Sequence, residues 1–221
     1  MQIHADRSQR TVLYHPSLPW QPSPLPGVLR RMLEREGDEI ARATSVVRYE
    51  AGARFDRHTH ALGEEFFVLE GDFNDEHGRY EAGAYVRNPP GSSHAPWSEG
   101  GCVLFVKLRQ MDPEDTERVV IATRSAPWFA GQKPGLSVMP LSQTGVESTA
   151  LVRWAPGTRF VPHRHYGGEE ILVLEGVFED EHARYPAGTW IRSPHLSQHH
   201  PYSTEGCTIW VKTGHLMPLH A

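Results

Sequence analysis

The sequence predicts an all-β protein built as two small barrels in tandem, and three observations carry that reading. One pattern of histidine, glutamate and glycine occurs twice, with the second copy 105 residues after the first. The apolar runs are short, rich in Val, Ile, Phe and Tyr, and punctuated by glycine and proline, as strands are. A stretch that could pass for a helix carries an interior proline in its second copy.

The repeat comes first because it constrains everything else. Thr44–Lys107 lies over Thr149–Lys212 with 33 identities in 64 positions and no gap. Self-similarity of that strength means two copies of one domain. Upstream the match continues with a three-residue slip: Pro19-Trp20 answers Pro127-Trp128, and Pro26-Gly27 answers Pro134-Gly135. The acidic, proline-containing stretch Met111–Glu117 reads as the linker. The expected domains are residues 1–114 and 115–221.

The elements follow in chain order. Thr11–Tyr14 and Val119–Ala122 are short apolar starts of each copy. Val28–Glu36 is ambiguous alone, but its counterpart Leu136–Leu141 contains Pro140, so both are strands. Ser45–Tyr49, Glu65–Glu70, Tyr85–Arg87 and Val103–Leu108 complete the set, each with its partner in the second copy. Turn signals recur roughly every ten residues, the spacing of a sandwich or barrel. Helix content should be negligible.

Composition narrows the partners. The 221 residues carry a net charge of -5 with both signs mixed, and no Lys/Arg run stands out. No nucleic-acid or anionic-membrane surface is expected. No apolar stretch is long enough to span a bilayer, and Met1–Arg10 lacks a signal-peptide core. A cytoplasmic location is the expectation. The two cysteines, Cys102 and Cys207, occupy equivalent repeat positions, which makes a disulfide between them poor geometry.

The repeated residues are metal-binding types at metal-binding spacings. In the first copy they are His58, His60, Glu64 and His94; in the second, His163, His165, Glu169 and His199. Histidines two apart on a strand share a face. A small barrel brings them, the glutamate opening the next strand and the distant histidine to one interior point. Imidazole and carboxylate suit Zn, Fe, Mn, Ni, Co or Cu. Two divalent metals per chain are expected, with affinity falling below about pH 6 as the histidines protonate.

These residues also carry a family resemblance. Gly-x5-His-x-His-x3-Glu-x6-Gly, at Gly52–Gly71 and Gly157–Gly176, matches the first cupin motif. Gly83, Pro89, Gly91 and His94 match the second, with Ser98 in place of its asparagine. The second copy keeps Gly188, Pro194 and His199, but has Leu196 for the glycine and Ser203 for the asparagine, so its loop is expected to differ in shape. The chain thus resembles a bicupin, which implies two tandem cupin barrels of the RmlC-like jelly-roll, or double-stranded β-helix, kind. His163–Glu181, Arg87–His94 and Gly101–Lys107 resemble more closely the ChrR-like cupin domain, the lid of zinc anti-sigma factors that respond to singlet oxygen. The resemblance implies a regulatory cupin with zinc as the favoured ion and Fe, Ni or Mn as alternatives. The family's anti-sigma module uses His-x3-Cys-x2-Cys, which two isolated cysteines cannot supply. Sigma-factor binding is therefore not carried over.

Other residues repeat but have plainer readings. Glu65 and Glu170 follow the ligand glutamates, so alternation sends them to the opposite, outer face. Asp75-Glu76-His77 and Asp180-Glu181-His182 read as hairpin turns rather than second sites. His195 and His200 lie near the second site without a clear role. Cys102 and Cys207 read as small buried residues, with redox sensing the alternative. Phe55, Phe66, Phe73, Phe105, Phe160, Ile171, Phe178 and Trp210 read as core, some lining the metal cavity.

Three functions remain open at this stage. Four protein ligands on tetrahedral zinc leave no vacancy, as in a structural or regulatory site. The same four on an octahedral Fe, Ni or Mn leave two open positions, as a dioxygenase acting on a small diketone requires. A binding protein for a small carboxylate or sugar-like ligand is a third reading. A monomer or a homodimer is expected.

Overall fold

The computed structural model describes residues 1–217. Positions 218–221 of the second expected domain lie outside the described residues. Among the described residues every regular element is a strand apart from one 3-10 turn at His15–Ser17. Both ambiguous segments are strands, Val28–Gly37 and Leu136–Thr144. Pro140 is tolerated because the register shifts there, between Pro140 and Ser142, and a bulge is where a strand accommodates a missing donor.

Two compact units form, and they do not coincide with the sequence repeats. One comprises Met1–Ala5 and Leu18–Ala126; the other comprises Asp6–Ser17 and Pro127 onward. In the first, the sheet runs Gln2–Ile3, Val28–Gly37, Ala41–Tyr49, Cys102–Leu108, Glu64–Asp75, Ala84–Asn88 and finally Val119–Ala122. In the second it runs Phe129–Ala130, Leu136–Thr144, Glu147–Trp154, Cys207–Thr213, Glu169–Glu179, Thr189–Ser193 and finally Thr11–Tyr14. Every pairing is antiparallel. Thr11–Tyr14 of the first sequence repeat and Val119–Ala122 of the second therefore each complete the sheet formed mostly by the other repeat.

Each unit also has a two-stranded ribbon that carries the histidines. His58–His60 pairs with Ser92–His94, putting His58 opposite His94; His163–Arg164 pairs with Gln198–His199, putting His163 opposite His199. The inward faces of the sheets form an apolar core. Phe66, Val68, Phe73, Leu104 and Val106 belong to it in the first unit, and Ile171, Val173, Phe178 and Ile209 in the second.

Two expectations are corrected. The loop before His199 does not differ in shape: Leu196 adopts φ 65°, close to the 83° of Gly91. Its amide bonds to the His165 carbonyl at 2.8 Å, as the Gly91 amide bonds to that of His60 at 2.9 Å. Ser98 and Ser203, which stand for the motif asparagine, both donate at 2.6 Å to the neighbouring strand, at Asp72 O and Val177 O. Secondly, Glu65 and Glu170 do leave the ligand face, but they are buried rather than outer. Glu65 accepts from the Tyr85 hydroxyl at 2.6 Å, and Glu170 from Trp190 Nε1 at 2.8 Å. A strand buried on both faces hides its alternate residues as well as its inward ones.

Gly71 closes the first motif at φ 71°, where a Cβ would run into the Gly101 carbonyl. Left-handed strain and a backbone clash then add. Gly71→Ala is expected to destabilise the protein by about 3 kcal/mol in equilibrium urea unfolding. Unchanged stability would contradict this account of the motif glycine.

Candidate metal centre

Both clusters form, and neighbouring strands deliver their members. The ribbon supplies three imidazoles, and the glutamate comes from the first residue of the long strand beside it. In the second unit His163, His165, Glu169 and His199 each offer a ligand atom, all within 4.8 Å of one another. In the first, His58, His60 and His94 meet that criterion together. Glu64 joins them through Oε2, 3.4 Å from His60 Nε2 and 3.5 Å from His94 Nε2.

The separations fit a cation. His60 Nε2 and His94 Nε2 lie 2.9 Å apart, and His165 Nε2 and His199 Nε2 lie 3.0 Å apart. Glu169 Oε2 is 3.5 Å from both His165 and His199. Metal–nitrogen and metal–oxygen bonds of about 2.0–2.1 Å place neighbouring ligand atoms about 3 to 3.4 Å apart. The tautomers fit as well. His58 Nδ1 meets the Asp56 carbonyl and His163 Nδ1 meets the Val161 carbonyl, each at 2.9 Å. His94 Nδ1 meets Asp75 Oδ2 at 3.1 Å. A protonated Nδ1 that donates to these oxygens leaves Nε2 as the free lone pair.

Burial makes the cluster costly without a cation. His165 is pushed down to about 3, first by burial and then by His199 and His163. His60 is lowered, mainly by burial. Burial would also lower His94, yet its bond to Asp75 and the charge of Glu64 hold its pKa above the ordinary value. His199 is raised in the same way. Burial raises Glu169.

Four kinds of group around the cluster are absent from the sequence reading of the site. Asp75 ends its strand as the expected hairpin turn, bonding the amides of His77 and Gly78, but its other oxygen orients His94. Asp180 sits likewise, 3.9 Å from His199 Nδ1. The repetition of both aspartates, with Tyr80 and Tyr185 five residues on, was the available signal. Both tyrosines donate to their aspartates, at 2.9 and 2.7 Å. An arginine just before each unit's last sheet strand braces the pair. Arg118 reaches Tyr80 at 2.7 Å; Arg10 reaches Tyr185 at 2.8 Å and Asp180 at 3.0 Å. Asn88 donates to Glu64 Oε2 at 3.1 Å, whereas Ser193 stands at its place in the second copy.

The remaining candidates fall into place around this centre. Phe55 and Phe73 contact His58 and His94, and Phe160 and Phe178 contact His163 and His199, as rings lining the cavity should. His195 Nδ1 accepts from the Gly167 amide at 2.8 Å, and the His200 amide donates to Glu181 at 2.8 Å, so both serve turns. Cys102 and Cys207 are free and buried, with thiols pushed up to about 11, chiefly by burial. Burial and a thiol so far from ionisation suit the reading of both as small core residues. In the first unit a cavity of about 430 Å³ reaches His58, His60 and Glu64.

Comparison with known proteins places the chain. The model of the ChrR cupin-like domain matches twice, over residues 8–112 and 116–217. The anti-sigma-E factor ChrR of Cereibacter sphaeroides is 41% identical over 64 residues, which cover 28% of this chain and 30% of that protein. A Nostoc punctiforme protein provisionally named a dioxygenase superposes with a TM-score of 0.79 at 13% identity, covering 96% of this chain and 85% of that one. Protein YlbA of E. coli superposes with a TM-score of 0.74 at 14% identity, covering 99% and 96%. At such identities these structures establish the shared fold.

Removing the orienting carboxylate tests the geometry. Asp75→Asn is expected to weaken binding at the first site by about 10- to 100-fold, leaving the second unchanged, as read by zinc titration against a competing chelator. Equal affinities before and after the change contradict a positioning role. Protons compete with metal for the same nitrogens, and the raised His94 and His199 capture them first. Zinc affinity is therefore expected to fall from above pH 6.5 downward, by about tenfold per pH unit for each proton displaced. Constant affinity from pH 7.5 to 5.5 contradicts ligation by these imidazoles.

Proposed function

The chain belongs to the ChrR cupin-like domain family, and from that premise we propose a regulatory bicupin that holds one divalent metal in each barrel, zinc by preference. The single observation that carries this is the duplicated cluster of three imidazoles and a carboxylate, buried and with ring nitrogens close enough to share a cation. Both copies keep every candidate ligand: His58, His60, Glu64 and His94, and His163, His165, Glu169 and His199. A regulatory role that needs both metals would maintain both sets, whereas an enzyme can let one half decay. The ChrR resemblance favours zinc. Loss of metal would release buried histidines and a buried glutamate that need a counter-charge, loosening the barrel and so signalling to a partner.

Sigma-factor binding is not part of the proposal, since the match to ChrR spans under a third of that protein and the anti-sigma zinc motif is absent. Among the described residues no helix is long and apolar enough to cross a membrane. The two unpaired, buried thiols suit a cytoplasmic setting.

One observation favours a second reading. The cavity beside His58, His60 and Glu64 gives a small molecule access to the first cluster. A bound divalent ion there supplies Lewis acidity and, on an octahedral metal, open positions that orient an oxygen ligand. This is what a metal-dependent dioxygenase acting on a small diketone needs.

Elemental analysis of protein prepared without added metal separates the readings. Zinc near two equivalents with no oxygen consumption supports regulation. Iron, with oxygen uptake on adding a diketone such as acetylacetone, overturns regulation in favour of the enzyme. His94→Ala and His199→Ala are each expected to remove one metal, and the double variant both. Unchanged stoichiometry in the double variant would falsify the ligand assignment.

A further inference from the structure

The two barrels share their candidate metal ligands but differ in what faces the first one's cavity. That cavity, about 430 Å³, lies within the size range of small-molecule sites. Its walls are mostly apolar, with Val28, Val47, Phe55, Leu104 and Val106 among them. The polar side chains on it are mostly committed elsewhere. Arg30 pairs with Glu39 at 3.1 Å, Thr59 bonds Ser93 at 2.8 Å, and Ser23 donates to the Leu25 carbonyl at 3.1 Å. Asn88 donates to Glu64, and His58 bonds Asp56 O.

Two groups are left over. Tyr49 is 7% exposed and lines the cavity, yet its hydroxyl makes no hydrogen bond among the described residues. The hydroxyl opens onto the cavity, where it is free to donate to a molecule that enters. Its ring contacts Phe55 and Phe73, which in turn contact His58 and His94, so it stands one ring away from the candidate ligands. Arg109 also lines the cavity, half-buried, and its guanidinium makes no ion pair or hydrogen bond among the described residues. It is held at φ 58°, a conformation glycine accepts more readily. Its counterpart in the second copy is indeed glycine, Gly214. At the place of Tyr49 the second copy has Trp154, whose buried Nε1 is likewise without a partner. Each barrel thus keeps a donor at this position, but only the first adds a cation.

We propose that the first barrel binds a small apolar carboxylic acid carrying a second oxygen, such as an aryl 2-oxo acid, with its carboxylate on Arg109 and an oxygen accepting from Tyr49 beside the His58/His60/Glu64 cluster. The apolar walls take the body of the molecule, and the second barrel, without the guanidinium, does not bind it. The inference rests on the metal reading above and serves regulation or catalysis alike.

The test is calorimetric titration of the full zinc-loaded chain with benzoylformate, benzoate and phenylacetate, with benzamide as the neutral control. Zinc content and thermal unfolding are measured on every sample. One acid per chain is expected to bind, benzoylformate most tightly and benzamide at least tenfold more weakly. Tyr49→Phe and Arg109→Gly are each expected to weaken benzoylformate about tenfold at unchanged zinc content and unfolding temperature. Arg109→Lys should recover part of the loss, and Trp154→Phe should have no effect. With two zinc ions bound, failure of all three acids to bind overturns this inference alone. So does binding of two acids per chain, or binding indifferent to Arg109→Gly. Protein that takes up no zinc overturns the metal reading, and this inference with it.

Discussion

Everything else in this fold serves the placing of three imidazole lone pairs and one carboxylate about 3 to 3.4 Å from one another, the spacing of atoms that share one cation. Such an arrangement is electrostatically unfavourable by itself. The lone pairs face one another, the carboxylate is buried, and burial has pushed His60 and His165 away from the protonated form that would relieve the crowding. A divalent cation removes all three difficulties together. The ribbon pairing of His58 with His94 and of His163 with His199 fixes the distances. The turn amides at Gly91 and Leu196 tie each ribbon's end to a ligand residue's own carbonyl.

Behind the ligands lies a chain of orientation that crosses the sequence repeat. Asp75 and Asp180 face the ring nitrogens of His94 and His199, Tyr80 and Tyr185 hold the aspartates, and Arg118 and Arg10 hold the tyrosines. Arg10 belongs to the first repeat by sequence but to the second compact unit, and Arg118 the reverse. Each repeat therefore supplies a brace for the ligand shell written in the other. The duplication has become a single interdependent chain, in which a half cut at the repeat boundary would lack its last sheet strand and its arginine.

Much of this was legible in the sequence, and the reasons it was or was not are physical. The clustering of the histidines is readable because period-two spacing on a strand puts His58 and His60, or His163 and His165, on one face. The strand assignment of Val28–Gly37 was readable because two copies must share one backbone and Pro140 forbids a helix. Burial of Glu65 and Glu170 was not readable, since alternation tells which face a residue takes but not what covers that face. A leucine at 196 in place of the motif glycine suggests a changed turn. The surrounding hydrogen bonds hold a leucine in the left-handed region instead. Strand exchange was invisible for a related reason: Thr11–Tyr14 and Val119–Ala122 answer one another, so the sequence cannot say which sheet each one joins. The second role of Asp75 and Asp180 is hidden in the sequence, because an Asx turn explains their repetition without reference to a distant histidine.

The central claim is that each barrel gathers its three ring nitrogens and acid oxygen around one cation. Diffraction from crystals of the untreated protein, with anomalous data on both sides of the zinc edge, tests it most directly. The account predicts one strong peak in each barrel, bonded to the Nε2 atoms of the three histidines and to the glutamate oxygen. Well-ordered histidines at both sites with no anomalous peak at any transition-metal edge would contradict it.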